Sequence, residues 1–227
     1  MLTDSHLHIL PEIDDGSRSV QMSIAMARKL KESHADRIAA TPHFYCHRER
    51  SVQDFLDKRQ AAFEKMTAGG SFPIKNIILG AEVAIEHGLS EVKGVEKLAY
   101  EGTNYILLEL PYAAYQRWYK EEMANISSEC GLKPVIAHIH RYLDFYNKDE
   151  MKKILDLDVV FQINNEAFEN FHEKRFISKL IKDGYPIIFG SDAHRDEGDR
   201  APNWEILKKK AKPEVIESAM AFADKIF

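Results

Sequence analysis

Residues 2–7, Leu2-Thr3-Asp4-Ser5-His6-Leu7, form a short β-like run, and with His8 directly after it the chain reads His-x-His. Side chains along a strand alternate with period two, so His6 and His8 leave the same face, the geometry two ligands to one ion require. A single His-x-His is weak evidence. The decisive pattern is what happens at the ends of the similar runs that follow, at about 36–41, 76–82, 104–110, 134–138, 159–163 and 186–191, several of them rich in Ile and Val. His43 follows the second run, Glu82 ends the third, Glu109 the fourth and His138 the fifth, and Asp192 and His194 follow the seventh. The loop after the first run adds Asp14 and Asp15 before Gly16, and the sixth run offers only Asn164 and Asn165.

Between the runs lie amphipathic stretches. Val20, Ile24, Ala27 and Leu30 fall at helical spacing over about 19–33, and further helices are predicted near 51–68, 113–130, 149–156, 168–183, 203–211 and 213–225. Strand–helix alternation implies parallel strands with helices outside. Seven repeats suit a closed barrel, so the expected fold is α/β, a TIM-like (β/α)7 barrel in a single domain over 1–227, with an open doubly wound sheet as the alternative. In a parallel barrel all strand C-termini open on one face, which brings residues nearly 190 positions apart to one pocket.

Five histidines and several carboxylates in register with the strand ends point to a metal centre. Nitrogen and oxygen donors without thiolate suit Mn²⁺, Fe²⁺ or Zn²⁺, and there are more donors than one ion can use, so two to three divalent ions are expected. Closely spaced ions can bridge a hydroxide and hold the entering and leaving oxygens of an in-line phosphoryl transfer, which makes a phosphomonoesterase the expected activity. Arg141, just beyond His138, is suited to bidentate contact with a phosphate.

Composition removes other classes. The net charge of −5 and interspersed signs give no nucleic-acid footprint, and the one basic run, Lys208-Lys209-Lys210, fits a solvated helix face. No run of about 18 apolar residues could span a membrane, and the opening residues do not resemble a secretory signal, so a cytoplasmic location is expected. Cys46 and Cys130 are far apart, and neither is followed by five residues and an arginine, which excludes a thiolate phosphatase loop.

Taken singly, any of these histidines reads as a hydrogen-bonded or solvated side chain. His34, His47, His87 and His172 have no strand-end position and are assigned to the surface or to helices. Asp14 is expected to cap the turn at Gly16 and Asp4 to orient a neighbouring imidazole, while His140 divides evenly between supporting a ligand and being exposed. Tyr112, Tyr115 and Trp118 follow the fourth strand and could wall the pocket, although helix packing explains Trp118 equally well.

With these residues in place, the chain resembles the polymerase and histidinol phosphatase (PHP) superfamily, and within it the bacterial capsule-type, or CpsB-type, protein-tyrosine phosphatases. The likeness spans nearly the whole chain and rests on Asp4-Ser5-His6-Leu7-His8-Ile9-Leu10-Pro11 with Ile13-Asp14-Asp15-Gly16, Ala40-Thr41-Pro42-His43, Gly80-Ala81-Glu82, Leu108-Glu109, Ala137-His138 with Arg141, and Gly190-Ser191-Asp192-Ala193-His194. The resemblance implies a distorted barrel of the PHP type and a three-ion, commonly Mn²⁺, site. His6, His8, Glu109 and Asp192 would surround one ion, His43, Glu82 and His138 a second, and Asp15 and His194 a third, with Glu109 bridging. It also implies a substrate, the phosphotyrosine tail of a bacterial tyrosine kinase in exopolysaccharide assembly, with Arg141 and Arg200 on the phosphate. The chain departs from the family pattern at Ile139-His140, where Pro-Glu is common, and Arg200 is displaced by one residue. A small-molecule phosphatase of the histidinol-phosphate type, a PHP module without turnover, and, last, an amidohydrolase are the competing readings; the last expects a lysine where Glu109 stands.

Overall fold

A computed structural model describes all 227 residues. The order is β1 (Leu2–Leu7), α1 (Val20–Glu32), β2 (Ala35–Ala40), β3 (His43–Phe44), α2 (Val52–Thr67), β4 (Asn76–Leu79), β5 (Glu82–Ala84), β6 (Tyr105–Glu109), α3 (Arg117–Cys130), β7 (Lys133–Ile136), α4 (Lys148–Leu155), β8 (Val160–Asn164), α5 (Phe171–Lys182), β9 (Ile187–Gly190), α6 (Trp204–Lys210) and α7 (Pro213–Ile226). Each predicted strand and helix has its counterpart.

Two strands are added because two predicted runs are interrupted. Pro42 has no N–H to give to a ladder, and β2 stops before it and resumes as β3. Gly80 lies so close to Tyr100 that a Cβ there would come within 2.9 Å of the ring, and β4 breaks at Gly80-Ala81 before resuming as β5. The predicted single barrel is therefore two parallel sheets, β1-β2-β4 and β3-β5-β6-β7-β8-β9. Bonds across the breaks, from Gly80 N to Ala40 O (2.9 Å) and from Glu82 N to Pro42 O (3.0 Å), carry one sheet into the other. At the other side β1 meets the end of β9: Asp192 N donates to His6 O (2.7 Å) and His8 N to Ala193 O (2.9 Å). An open sheet would leave those strands as free edges.

Every ladder is parallel, so every strand ends on the same side. Period two then sorts the residues: Leu107 shares a face of β6 with Glu109, and Val160 shares a face of β8 with Gln162 and Asn164. The apolar members of these faces, with Ala39, Val135 and Ile188, form one buried cluster closed by Ala223 and Ile226 of α7. The polar members stand further along and reach the site.

The helices cover the outer faces of the strands. Ser19 caps α1 by accepting from Met22 N at 3.1 Å. Its buried stripe is Ser23, Met26, Ala27 and Leu30, with Val20 and Ile24 only half-buried, one position round from the stripe expected. The hydroxyl of Ser23 can sit inside because it donates to Ile9 O at 2.7 Å. No helix is long and apolar enough to cross a membrane.

Candidate metal centre

His6, His8, Glu82, His138, Asp192 and His194 are buried, His43 and Glu109 half-buried, and Asp15 stands exposed at the rim. All nine expected ligands meet at one end of the strands. Asp15, His43, Glu82, Glu109, His138 and Asp192, together with Tyr45, Tyr112, Arg141 and Arg200, line a cavity of about 430 Å³. Two of the residues reach it from unusual backbone: His138 (φ 32°) and Asp192 (φ 50°) both adopt positive φ, a conformation L-residues hold only when their surroundings impose it.

The orientation of the imidazoles is fixed from behind. His6 Nδ1 lies 3.1 Å from Gln162 Oε1, His8 Nδ1 2.7 Å from Asp14 Oδ2, and His194 Nδ1 2.9 Å from the carbonyl of Asp192. Each of these partners is an acceptor, so each Nδ1 carries the proton and each Nε2 turns its lone pair, or an exchangeable proton, toward the cavity. There the acceptors crowd: His6 Nε2 and His8 Nε2 are 3.2 Å apart, and each is 3.1 Å from Glu82 Oε2. His43 Nδ1 lies 3.1 Å from the same oxygen without hydrogen-bond geometry and has no partner. Three imidazole nitrogens and a carboxylate oxygen are aimed at one another, and a divalent cation can take all of them as ligands at once. The donor set fits such ions.

Three groups of donors have ligand atoms within 4.8 Å of one another: His6, His8, Glu82 and Asp192; His8, Asp15, His43 and His194; and His43, Glu82 and Glu109. This grouping differs from the one the resemblance implies. Glu82, rather than Glu109, is common to two groups, because its carboxylate is buried at the centre, with His138 Nε2 2.8 Å from its other oxygen. His138 belongs to none of the three groups and meets Glu109 only at 3.8 Å.

The electrostatics carry the mark of crowded charge. Burial and the carboxylate of Glu82 push the Glu109 carboxyl up to about 8. Burial works against ionisation of Glu82, yet the imidazoles of His6 and His138 hold it well below the usual carboxylate range. Burial also opposes charge on His8, but Asp14 outweighs it and raises the imidazole well above its ordinary value. Burial, with His8 alongside, takes His194 down to about 3, and burial takes His138 to about 4.

Both arginines lie against the cluster. Arg141 Nη1 is 2.7 Å from Asp192 Oδ2, and Arg141 Nη2 donates to Glu166 Oε1 at 3.1 Å. Arg200 Nη2 donates to His194 Nε2 at 2.8 Å and its Nη1 lies 3.6 Å from Asp15. Arg195 ties the loops together by donating to the carbonyls of Asp15, Gly16 and His194.

The supporting residues answer the open assignments. Asp14 does cap Gly16 N (2.9 Å), and it also orients His8 and accepts from His43 N at 3.0 Å. Asp4 binds no imidazole; it accepts from Ser191 N at 2.9 Å and Trp204 Nε1 at 2.8 Å, fastening β1 to the end of β9. His140 is buried, with its Nδ1 unpartnered, and is not exposed. His34, His47, His87 and His172 are all exposed, as expected. Tyr112 lines the cavity, whereas Trp118 stacks on His87 with ring centroids 3.9 Å apart, and Tyr115 packs on Tyr119 and Tyr146.

The sequence reading missed Gln162. Its Oε1 accepts from His6 Nδ1 and from His138 N (2.7 Å), and its Nε2 donates to Asn164 Oδ1 at 2.9 Å. Asn164 Nδ2 in turn donates to Asp192 Oδ2 at 3.2 Å and Glu166 Oε1 at 2.9 Å. The sixth principal strand thus brings a directional pair of amides that orients ligands from three other segments. The polar pair at 162 and 164, two apart in an otherwise apolar run, was the available signal.

Known proteins share this arrangement of chain. YwqE of Bacillus subtilis strain 168, a tyrosine-protein phosphatase, is 26% identical over 202 residues, covering 85% of this chain and 77% of its own. A solved structure from work on YwqE and on CpsB of Streptococcus pneumoniae, described as unique metal-dependent tyrosine phosphatases, superposes with a TM-score of 0.80 at 23% identity, covering 99% of this chain and 94% of the other. A histidinol phosphate phosphatase from Lactococcus lactis, complexed with zinc, L-histidinol and phosphate, gives a TM-score of 0.58 at 16% identity over 99% and 93% of the two chains. The family described as capsular polysaccharide synthesis, CpsB/CapC, matches residues 2–221, and the chain belongs to it.

Proposed function

We propose that the chain is a metal-dependent phosphatase of phosphotyrosine. The observation that carries this reading is the convergence of five imidazoles and four carboxylates, three of the imidazoles held with Nε2 inward, beneath two arginines in one cavity. His6, His8, Glu82 and Asp192 would hold one ion, and His8, Asp15, His43 and His194 another. A third would take His43, Glu82 and Glu109, with His138 beside Glu82. Manganese is the ion we favour. When bound, such ions supply Lewis acidity and a nucleophile at neutral pH.

The rest belongs to the chain. Arg141 and Arg200 reach the cavity from different loops, so a phosphate between them would meet two guanidinium groups, which hold its oxygens and offset the charge that grows on them during transfer. Gln162, Asp14 and the Asp192 carbonyl keep three imidazoles in one tautomer, so no reorientation is needed as the reaction proceeds. Burial of Glu82 and Asp192 excludes water from the inner cluster and strengthens each of these interactions. The named relatives make phosphotyrosine the favoured substrate over histidinol phosphate, and we place it on the tail of a bacterial tyrosine kinase of capsule assembly, in the cytoplasm.

The test is hydrolysis by manganese-loaded protein of a phosphotyrosine peptide and of histidinol phosphate, with His43→Ala and Asp192→Ala as controls. The peptide is expected to turn over faster, and both variants to lose activity on it. Faster cleavage of histidinol phosphate would overturn the substrate, and unchanged rates in both variants would overturn the site.

A further inference from the structure

Glu166 stands in the short helical turn Asn165–Phe168 that follows β8, and the other end of the turn is anchored by buried Ala167 and Phe168. One of its side-chain oxygens carries all of its bonds. Oε1 accepts from Arg141 Nη2 at 3.1 Å and from Asn164 Nδ2 at 2.9 Å, while Oε2 is enclosed and has no partner. Asn164 Nδ2 also donates to Asp192 Oδ2 at 3.2 Å, and that same oxygen lies 2.7 Å from Arg141 Nη1. Four groups thus close a ring: the guanidinium bridges two carboxylates on one side, and the Asn164 amide bridges them on the other. The amide is itself fixed, because its Oδ1 accepts from Gln162 Nε2.

Stability does not account for this arrangement. The Arg141 and Glu166 side chains are 32% and 33% exposed, and an ion pair so open to water adds little to folding. What the pair fixes is direction. Asp192 meets Arg141 as an ion pair, which limits distance, whereas the bond from Nη2 to Glu166 limits the angle as well. Held at both terminal nitrogens, the planar guanidinium cannot swivel, and its remaining N–H groups keep fixed directions at the cavity wall. Asp192 is also a candidate ligand, whose charge a bound cation would share. Glu166 belongs to none of the three donor groups and is left to Arg141 and Asn164.

We propose that Glu166 is a positioning residue: through its hydrogen bond to Nη2 it holds the Arg141 guanidinium in the orientation that receives a phosphate. This rests on the phosphatase reading and adds to it the residue on which Arg141 depends for its aim. The acceptor geometry of Glu166 serves this role and its charge does not, since a second carboxylate beside Arg141 opposes an approaching phosphate dianion. Substitutions separate the two. Glu166→Gln keeps an acceptor for Arg141 and Asn164 and sets its amide nitrogen where Oε2 has no partner. Glu166→Asp keeps the charge and withdraws the oxygen by one methylene, and Glu166→Ala removes both.

The experiment compares the manganese-loaded parent, Glu166→Gln and Glu166→Ala in two readouts: kcat/KM on a phosphotyrosine peptide, and the affinity of inorganic phosphate by calorimetry. Each substitution is also made in an Arg141→Ala background. Glu166→Ala should lower both readouts about tenfold, Glu166→Gln should stay within about threefold of the parent, and neither should matter once Arg141 is gone. A loss that persists without Arg141 would place the effect on Asp192, by way of Asn164, and overturn the proposal. A Glu166→Gln protein as weak as Glu166→Ala, or a Glu166→Ala protein equal to the parent, would overturn it too. If Glu166→Ala does not fold, Glu166→Asp takes its place under the same criteria. If the parent cleaves no phosphotyrosine peptide, the phosphatase reading fails, and the phosphate affinities alone decide whether Glu166 aims Arg141.

Discussion

Removing divalent cations should make the protein less stable at pH 8 than at pH 7, and adding them should reverse the sign. Glu109 titrates at about 8 in the fold against 4.5 as its ordinary value. The folded state therefore keeps a proton that the unfolded chain has already lost, and stability drains away as pH rises toward 8. One pH unit is worth 1.36 kcal/mol per proton, trimmed near the midpoint to about 1 kcal/mol between pH 7 and 8. His6 and His8 are raised above their ordinary value of 6.5; their stabilisation is complete below that value and is lost on the same rise, so they add to the fall. His43, His138, His140 and His194 are lowered from 6.5, and above pH 7 they are largely neutral in both states and offset little. Bound cations compete with these protons, so a loaded site gains stability over the same interval. Urea unfolding of the parent and of Glu109→Gln, with a chelator and with Mn²⁺, measures each part. The variant's loss in chelator should be smaller by about 1 kcal/mol. An unfolding midpoint in chelator that holds or rises from pH 7 to pH 8, or equal slopes in the two proteins, would refute the reasoning.

Other perturbations probe the supporting structure. Gln162→Leu strips a partner from His6 Nδ1 and from His138 N; it should cost about 1–3 kcal/mol in urea unfolding and weaken metal affinity by about 10–100-fold in calorimetry, and unaltered affinity would remove Gln162 from any positioning role. Arg141→Ala should retain its metal content by elemental analysis while the rate on a phosphotyrosine peptide drops by about 10²–10³-fold; a loss of metal of the same size would make Arg141 a structural partner of Asp192 instead. Gly16→Ala places a Cβ 2.3 Å from the His8 carbonyl and 2.4 Å from the His8 Cβ, and since these atoms belong to the first strand's end, destabilisation on the order of 3 kcal/mol is expected by thermal or urea unfolding.

The site was readable where chemistry and position coincide. Histidine and carboxylate at the end of one apolar run after another cannot be explained by packing, and all nine of those residues share one end of the strands. What was hidden is which of them are neighbours. Glu82 and Glu109 follow equivalent runs and look alike in sequence, yet the break at Gly80-Ala81 begins a new strand at Glu82 and leaves its side chain buried among His6, His8 and His138, a consequence of tertiary arrangement. The two added strands follow from single residues, Pro42 and Gly80, whose effect is a local jog in a run that still reads as one. Gln162 escaped because an uncharged amide inside an apolar run carries no chemical signature until its partners, on β1 and after β7, are known. The register of α1 was offset by one position because Ser23 is buried through a hydrogen bond to Ile9, which apolar periodicity does not register.

The seam between β1 and β9 has a consequence for synthesis. Asp4 and Ser191, which close it, stand 187 positions apart, so at roughly 5–20 residues per second the first strand leaves the ribosome roughly 10–40 s before its last neighbour exists. Throughout that interval its edge is unpaired, and the histidines it carries lack Asp192. No N-terminal fragment short of β9 can complete the centre, because two of its three donor groups need Asp192 or His194, which follow that strand.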